Sequence, residues 1–333
     1  MMSTKVCCFG ELLLRLSPGD SWPEENKIPF YVGGSELNVA VALAQWQIPV
    51  KYLTAIPDNY LSRKLISYVE SQKIAVSDIM LTGSRMGIYY LPYGSEIKGE
   101  GVIYDRAYSS FSSLIPGMID WDAVLSDCNW FHFSAITPSL NKQCPALCAE
   151  ALAACSKRNI PVSIDLNYRS KLWSAGINPV DTMHELLSLC DVVMGNIWSA
   201  QALLGIKSSV GSSIGKSDDA LNAAANESII QLQALFPKVK TAAYTYRLEN
   251  RYFATIMHDH KWAVSKSFSL GPVVDRVGSG DCFMAGLIYG LSRSSQLNEL
   301  IDFAASAAVG KLNEAGDFTC QTRENITDRV KLI

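Results

Sequence analysis

Val273-Val274-Asp275-Arg276-Val277-Gly278-Ser279-Gly280-Asp281 leads directly into an apolar pattern that runs from Cys282 to Leu291. Within that pattern Phe283, Met284, Leu287, Ile288 and Leu291 recur at helical spacing, so one face packs on a core. The Gly-Ser-Gly turn falls at the start of the helix, where unpaired N–H groups and the positive end of the macrodipole attract anions. Two glycines let the main chain approach a phosphate with no Cβ in the way. A carboxylate such as Asp281 is out of place beside a phosphate unless it takes a proton from an attacking hydroxyl. An anion cradle with an adjacent base is what phosphoryl transfer to an alcohol requires. The other reading is a plain helix N-terminus, with Asp281 as a cap and the glycines serving a tight turn. The segment alone leaves both open.

Upstream of it, apolar runs bounded by turn residues read as strands at Lys5–Phe9, Lys51–Ile56, Asn129–Phe133, Val162–Leu166, Asp191–Met194 and Thr241–Thr245. Helical patterns alternate with them at Leu37–Gln45, Leu61–Gln72, Ala146–Arg158 and Asn222–Leu235. Such alternation predicts an α/β fold with a mostly parallel central sheet and helices on both faces. Ligands of such sheets bind beyond the carboxyl ends of the strands. Leu12–Val32 and Met86–Phe111 break the rhythm, being strand-like with no helix between the strands. The second stretch concentrates Tyr89, Tyr90, Tyr93, Tyr104 and Tyr108. Residues 12–32 and 86–111 are expected to form a small β-sheet covering one end of the main body. An ordinary meander edge with exposed tyrosines is the alternative.

Composition narrows the function. At 333 residues, 48% hydrophobic and 18% charged, the chain is long enough for one large α/β domain with an appendage. A net charge of -3 with no dense Lys/Arg run argues against nucleic-acid binding. Glu11 and Arg15 interrupt the first apolar run, and no stretch is long and apolar enough to span a membrane. Nine scattered cysteines without a Cys-x-x-Cys pair, and four histidines with none placed to complete a zinc site, suggest reduced thiols in a cytoplasmic protein and no protein-held metal. Gly211-Ser-Ser-Ile-Gly215-Lys216-Ser217 falls one residue short of P-loop spacing, with Val210 where glycine is needed. It is read as part of a Ser/Gly-rich loop over Ser208–Asp219.

A second glycine pair stands early, in Gly33-Gly34-Ser35-Glu36-Leu37-Asn38, ahead of a helix. Asn38 has both donors and an acceptor for hydroxyls. With Asp275-x-x-Gly278-x-Gly280-Asp281, this pair resembles the two signatures of the ribokinase-like (PfkB) sugar kinases, in order and spacing and over nearly the whole chain. The resemblance implies one ribokinase-like three-layer domain over 1–333, with the small sheet as a lid and association of subunits through it. It also implies ATP and Mg2+ as cofactors, Asp281 as general base, and Gly278, Ser279 and Gly280 as anion hole.

Four further segments resemble the 2-keto-3-deoxygluconate kinases of that family. They are Met86-Gly-Ile-Tyr89, Tyr104-Asp-Arg106 with Ser109-Ser110, Ser134-Ala-Ile136-Thr137-Pro138, and Asp165-Leu-Asn167-Tyr168-Arg169 with Leu172-Trp173. The resemblance implies a sugar acid bound by Gly33, Gly34, Asn38, Tyr89, Tyr104, Arg106, Ile136 and Arg169. Independently of it, a carboxylate substrate calls for a guanidinium, which binds it through two charge-assisted hydrogen bonds. Arg169 follows a strand end and Arg106 sits on the expected lid; a surface salt bridge is the ordinary role of a lone arginine.

Two segments depart from the family. Asn196-Ile-Trp-Ser199 has serine where many members carry the glutamate of Asn-x-x-Glu. Thr245-Tyr-Arg247-Leu-Glu-Asn250 lacks both glycines of Thr-x-Gly-x-x-Gly. Asn196, Thr245 and Arg247 are the expected nucleotide contacts. Two rival readings are a kinase for a neutral sugar such as fructose or ribose, and a catalytically weak sugar-acid binding protein.

Overall fold

The computed structural model describes residues 5–92, 101–173 and 176–333; Tyr93 lies outside them. Val6–Phe9, Val50–Leu53, Trp130–Ser134, Val162–Asp165 and Val192–Gly195 are buried at every residue. Strands buried along their whole length, with no solvent-exposed face, require cover on both sides, as parallel sheets have. They pair in parallel in the order Thr241–Arg247, Val192–Gly195, Val162–Asp165, Trp130–Ser134, Val6–Phe9, Val50–Leu53. Beyond Thr241–Arg247 the sheet continues antiparallel through Arg251–His258 and Lys261–Val264, with Phe268–Ser269 also on Arg251–His258.

Side chains alternate across the sheet into two cores. Cys7 and Phe9 point to the core built with helices Cys144–Lys157, Pro179–Leu187, Ile197–Leu204 and Asp218–Leu235. Val6 and Cys8 point to the other, built with Ser35–Gln45, Tyr60–Ser71, Ser279–Ser292 and Leu297–Lys311. The result is a helix–sheet–helix sandwich, the α/β architecture that the sequence alternation predicts.

The strand expected over Lys51–Ile56 divides. Val50–Leu53 stays in the main sheet, whereas Ala55–Ile56 pairs in parallel with Met80–Leu81.

A separate four-stranded sheet has the order Phe30–Gly33, Leu13–Leu16, Gly87–Tyr90, Ile103–Asp105. The first aperiodic stretch is not free of helix: Trp22–Glu25 forms one turn inside it, with Pro23 at a position where a missing N–H is tolerated. Leu13, Tyr89, Leu91 and Val102 of this sheet and its edges cluster with Val277. The small sheet therefore packs on the residue preceding Gly278, which puts it over the carboxyl ends of the main strands. Among the described residues no helix is long and apolar enough to cross a membrane.

Candidate active site

A cleft of about 320 Å³ opens between the two sheets. Every site residue singled out from the sequence lines it except Gly33. Gly33 faces Asp317 instead, whose Oδ2 would lie 2.2 Å from any Cβ placed there.

Asp281 sits in the first turn of Ser279–Ser292 and is buried. Its Oδ1 accepts from the Ser35 hydroxyl at 2.8 Å and its Oδ2 from the Asn38 amide at 2.7 Å. Asn167 in turn donates to the Ser35 oxygen at 3.0 Å. An amide nitrogen only donates, so the Ser35 hydroxyl is left to donate to Asp281. Helix Ser35–Gln45 and the loop of Asn167 thus fix one carboxylate. Burial raises its pKa to about 6, with Asp165 adding to the rise, while Asn38, Ser35 and Arg169 oppose it. A carboxylate so tuned suits general-base work near neutral pH.

The turn before Asp281 holds two different kinds of glycine. Gly278 has φ of 83°, and a Cβ there would come within 2.4 Å of the Asp317 carbonyl oxygen, so the fold itself demands glycine. At Gly280 a Cβ would meet only Met194 Cε, at an ordinary 3.8 Å. The protein does not need that glycine for packing; open approach from the cleft is what it provides. Ser279 donates its hydroxyl to Ala308 O at 3.0 Å, so what it has for an anion is its N–H.

The two arginines differ. Arg106 is buried, and its Nε donates to Glu11 Oε2 at 2.8 Å while Nη2 donates to the same oxygen. Ser109 donates to the other oxygen of Glu11. Arg106 lines the cleft, but its Nε–Nη2 edge is committed to a buried ion pair. Arg169 is half-buried, follows the end of Val162–Asp165, donates from Nη1 to the Tyr168 carbonyl at 3.4 Å, and lines the cleft together with Tyr104. Burial raises the pKa of Tyr104, and both arginines oppose that rise. Tyr89 donates to Asp317 at 3.2 Å. Ile136 starts the short helix Ile136–Ser139, with its N–H donated to Ser134.

Of the residues expected to contact nucleotide, Asn196 caps helix Ile197–Leu204 through a reciprocal capping box: Ser199 N donates to Asn196 Oδ1 at 2.8 Å, and Asn196 N to Ser199 Oγ at 2.9 Å. The serine that replaces an acidic residue is therefore an N3 capping partner. Arg247 ends strand Thr241–Arg247 opposite Tyr252, is exposed, and borders the cleft with Thr245. The P-loop-like segment is no anion site. Ser217 caps helix Asp218–Leu235, whose first turn carries Asp218 and Asp219, with Asp218 paired to Arg251.

Among the described residues no three His, Cys, Asp or Glu gather to hold a metal ion. Magnesium bound chiefly through nucleotide phosphates and water needs only one or two carboxylates, and buried Asp165 lines the cleft. The donor set fits that mode. Sequence reasoning missed Ser35, Asn167, Asp317 and Arg15, whose partners lie far away in the chain.

A model of the pfkB family of carbohydrate kinases matches residues 3–323. The chain belongs to this family. Its structure resembles that of 2-dehydro-3-deoxygluconokinase from Thermotoga maritima, with a TM-score of 0.88 and 30% identity over 98% of this chain and 99% of that one. It is 29% identical to a 2-dehydro-3-deoxygalactonokinase of Haloferax volcanii, over 61% of this chain and 64% of that protein's length. It is 22% identical to a 2-dehydro-3-deoxygluconokinase of Bacillus subtilis, over 89% of this chain and 85% of the other. Family membership makes the protein a carbohydrate kinase, of a family that uses ATP.

Proposed function

We propose that the protein transfers the γ-phosphoryl group of ATP to the terminal hydroxyl of 2-keto-3-deoxygluconate, giving the 6-phosphate and ADP. The observation that carries this reading is Arg169 beside Tyr104 in the same cleft as Asp281. A guanidinium with a hydroxyl partner reads a carboxylate at one end while the base waits at the other. The names of the relatives above support the same substrate class.

In this reading the sugar hydroxyl gives its proton to Asp281, held in place by Ser35 and Asn38. The freed oxygen bonds the γ-phosphorus as the bond to the β–γ bridging oxygen breaks. N–H groups of Gly278, Ser279 and Gly280 stabilise the negative charge that develops. Mg2+, when bound, neutralises phosphate charge. Arg106 acts mainly by fixing Glu11 and the lid, and Arg169 is the primary reader of the acid. Arg247 contacts the nucleotide phosphates where other members of the family offer backbone.

The small sheet acts as a lid and pairs subunits through its outer face, where Phe30, Ile103 and Tyr108 are exposed. Light scattering that finds a strict monomer at micromolar concentration contradicts the pairing. The substrate assignment is tested by release of ADP with 2-keto-3-deoxygluconate against neutral sugars.

A further inference from the structure

Beneath the anion cradle lies a cation that the mechanism above does not use. Lys311, the last residue of helix Leu297–Lys311, is fully buried. Its Nζ donates to the main-chain carbonyls of Gly316 at 2.7 Å and Glu314 at 3.1 Å. Its Cε would lie 3.1 Å from a Cβ placed on Gly278, so the side chain passes directly behind the turn. Among the described residues no carboxylate forms an ion pair with it. A carboxylate that feels it, Asp317, has Oδ1 on Arg15 and Oδ2 on Tyr89.

A helix-capping lysine would do its work from the surface, with its ammonium in water. Burying an ammonium without a counter-ion is costly unless it is compensated. The carbonyls it holds are not those of the last helical turn but those of the following loop. That loop in turn supports the cradle: Gly316 N donates to Asp275 Oδ2 at 3.1 Å, and the Asp317 carbonyl packs against Gly278.

We propose that Lys311 is a built-in monovalent cation of the anion hole, a positioning residue whose carbonyl-bound ammonium fixes the Glu314–Asp317 loop under Gly278 and places positive charge behind the phosphoryl site. The inference rests on the kinase reading but not on the identity of the sugar. Ammonium is complementary to transferred negative charge, and an oxygen-lined pocket that takes Lys Nζ also suits a free ammonium or potassium ion.

The test compares wild type, Lys311→Ala and Lys311→Met at fixed ionic strength, with tetramethylammonium, potassium or ammonium chloride. Wild-type turnover should be indifferent to the salt. Lys311→Ala should lose about 10–10³-fold in kcat, as for loss of an oxyanion donor, with sugar KM nearly unchanged. Ammonium or potassium should restore part of that loss in Lys311→Ala. In Lys311→Met, which fills the space, they should restore less. The proposal is overturned if Lys311→Ala keeps wild-type kcat, or if its loss follows a fall in Tm and no cation restores it. Failure of the substrate reading appears separately, in the wild-type rates with different sugars. If no sugar is turned over, ATP affinity by calorimetry replaces kcat, with weakening in Lys311→Ala and recovery in ammonium expected, and unchanged affinity overturning the proposal.

Discussion

Arg15 and Asp275 form a two-point ion pair, Nη1 to Oδ1 at 3.3 Å and Nη2 to Oδ2 at 2.6 Å. The pair joins strand Leu13–Leu16 of the small sheet to the turn that opens the anion cradle. Arg15 Nε also donates to Asp317 at 2.8 Å, and its guanidinium lies 4.4 Å from the centre of the Tyr31 ring. Asp275 meanwhile accepts from the Val277 and Gly316 N–H groups. The small sheet, the turn before Gly278 and the loop reaching Asp317 thus share one largely buried charge cluster.

Removing Arg15 leaves the buried carboxylate of Asp317 and the partly buried one of Asp275 without their cation. Arg15→Ala should therefore destabilise the protein by about 3–5 kcal/mol, the usual effect of breaking a buried pair. Arg15→Lys keeps the charge but loses the planar fork, and should fall between. Urea denaturation measures both. An alanine variant as stable as wild type would show that the cluster contributes nothing.

Asp281 accepts a proton only when ionised, and burial holds its pKa at about 6. The free enzyme's kcat/KM should then fall on the acid side with a midpoint near that value. Ser35→Ala removes a donor that favours the charged form, so the midpoint should move to higher pH. Asp281→Asn should reduce turnover by about 10²–10⁴-fold with sugar binding little changed. A profile flat through this range would remove Asp281 from the role of base.

Arg169 and Arg106 should separate in mutagenesis. Arg169→Ala should weaken sugar-acid binding by about 1.5–3 kcal/mol while a neutral analogue is barely affected. Arg106→Ala should act on stability as well, because it strands Glu11 at 3% exposure. Dissociation constants and unfolding midpoints for both variants decide it. If Arg169→Ala weakens the neutral analogue equally, Arg169 does not read charge.

Arg247 is exposed at the end of its strand, so the contact with phosphate proposed for it would be partly screened. Arg247→Ala should raise KM for ATP by about 5-fold, roughly 1 kcal/mol for a solvent-exposed pair. Sugar-acid KM should stay the same. No change in either constant would remove Arg247 from the nucleotide site.

Much of this was legible in the sequence, for identifiable reasons. Val162–Asp165 and its neighbours stand out because parallel strands covered on both faces read as short, largely apolar runs bounded by turn residues. The hairpin Arg251–His258 to Lys261–Val264 does not stand out. Its turn residues Asp259 and His260 take φ of 45° and 62°, without the glycine that marks such turns. Asp281 and its glycines are adjacent in the chain, so local chemistry reveals them. Glu11 and Arg106 are 95 residues apart, and Arg15 and Asp317 are 302 apart. No local pattern carries such pairs; only the packing of the small sheet brings them together. Ser35 and Asn167 escape for another reason, since serine and asparagine at turns read first as caps.

The most direct measurement is ADP release by the wild-type protein with ATP and magnesium over 2-keto-3-deoxygluconate, its galactonate epimer, fructose and ribose. The account predicts turnover with the 2-keto-3-deoxy sugar acid at a kcat/KM at least about tenfold above either neutral sugar, a difference of roughly 1.4 kcal/mol in transition-state binding. Preference for fructose or ribose, or binding of the sugar acid with no ADP released, would contradict it.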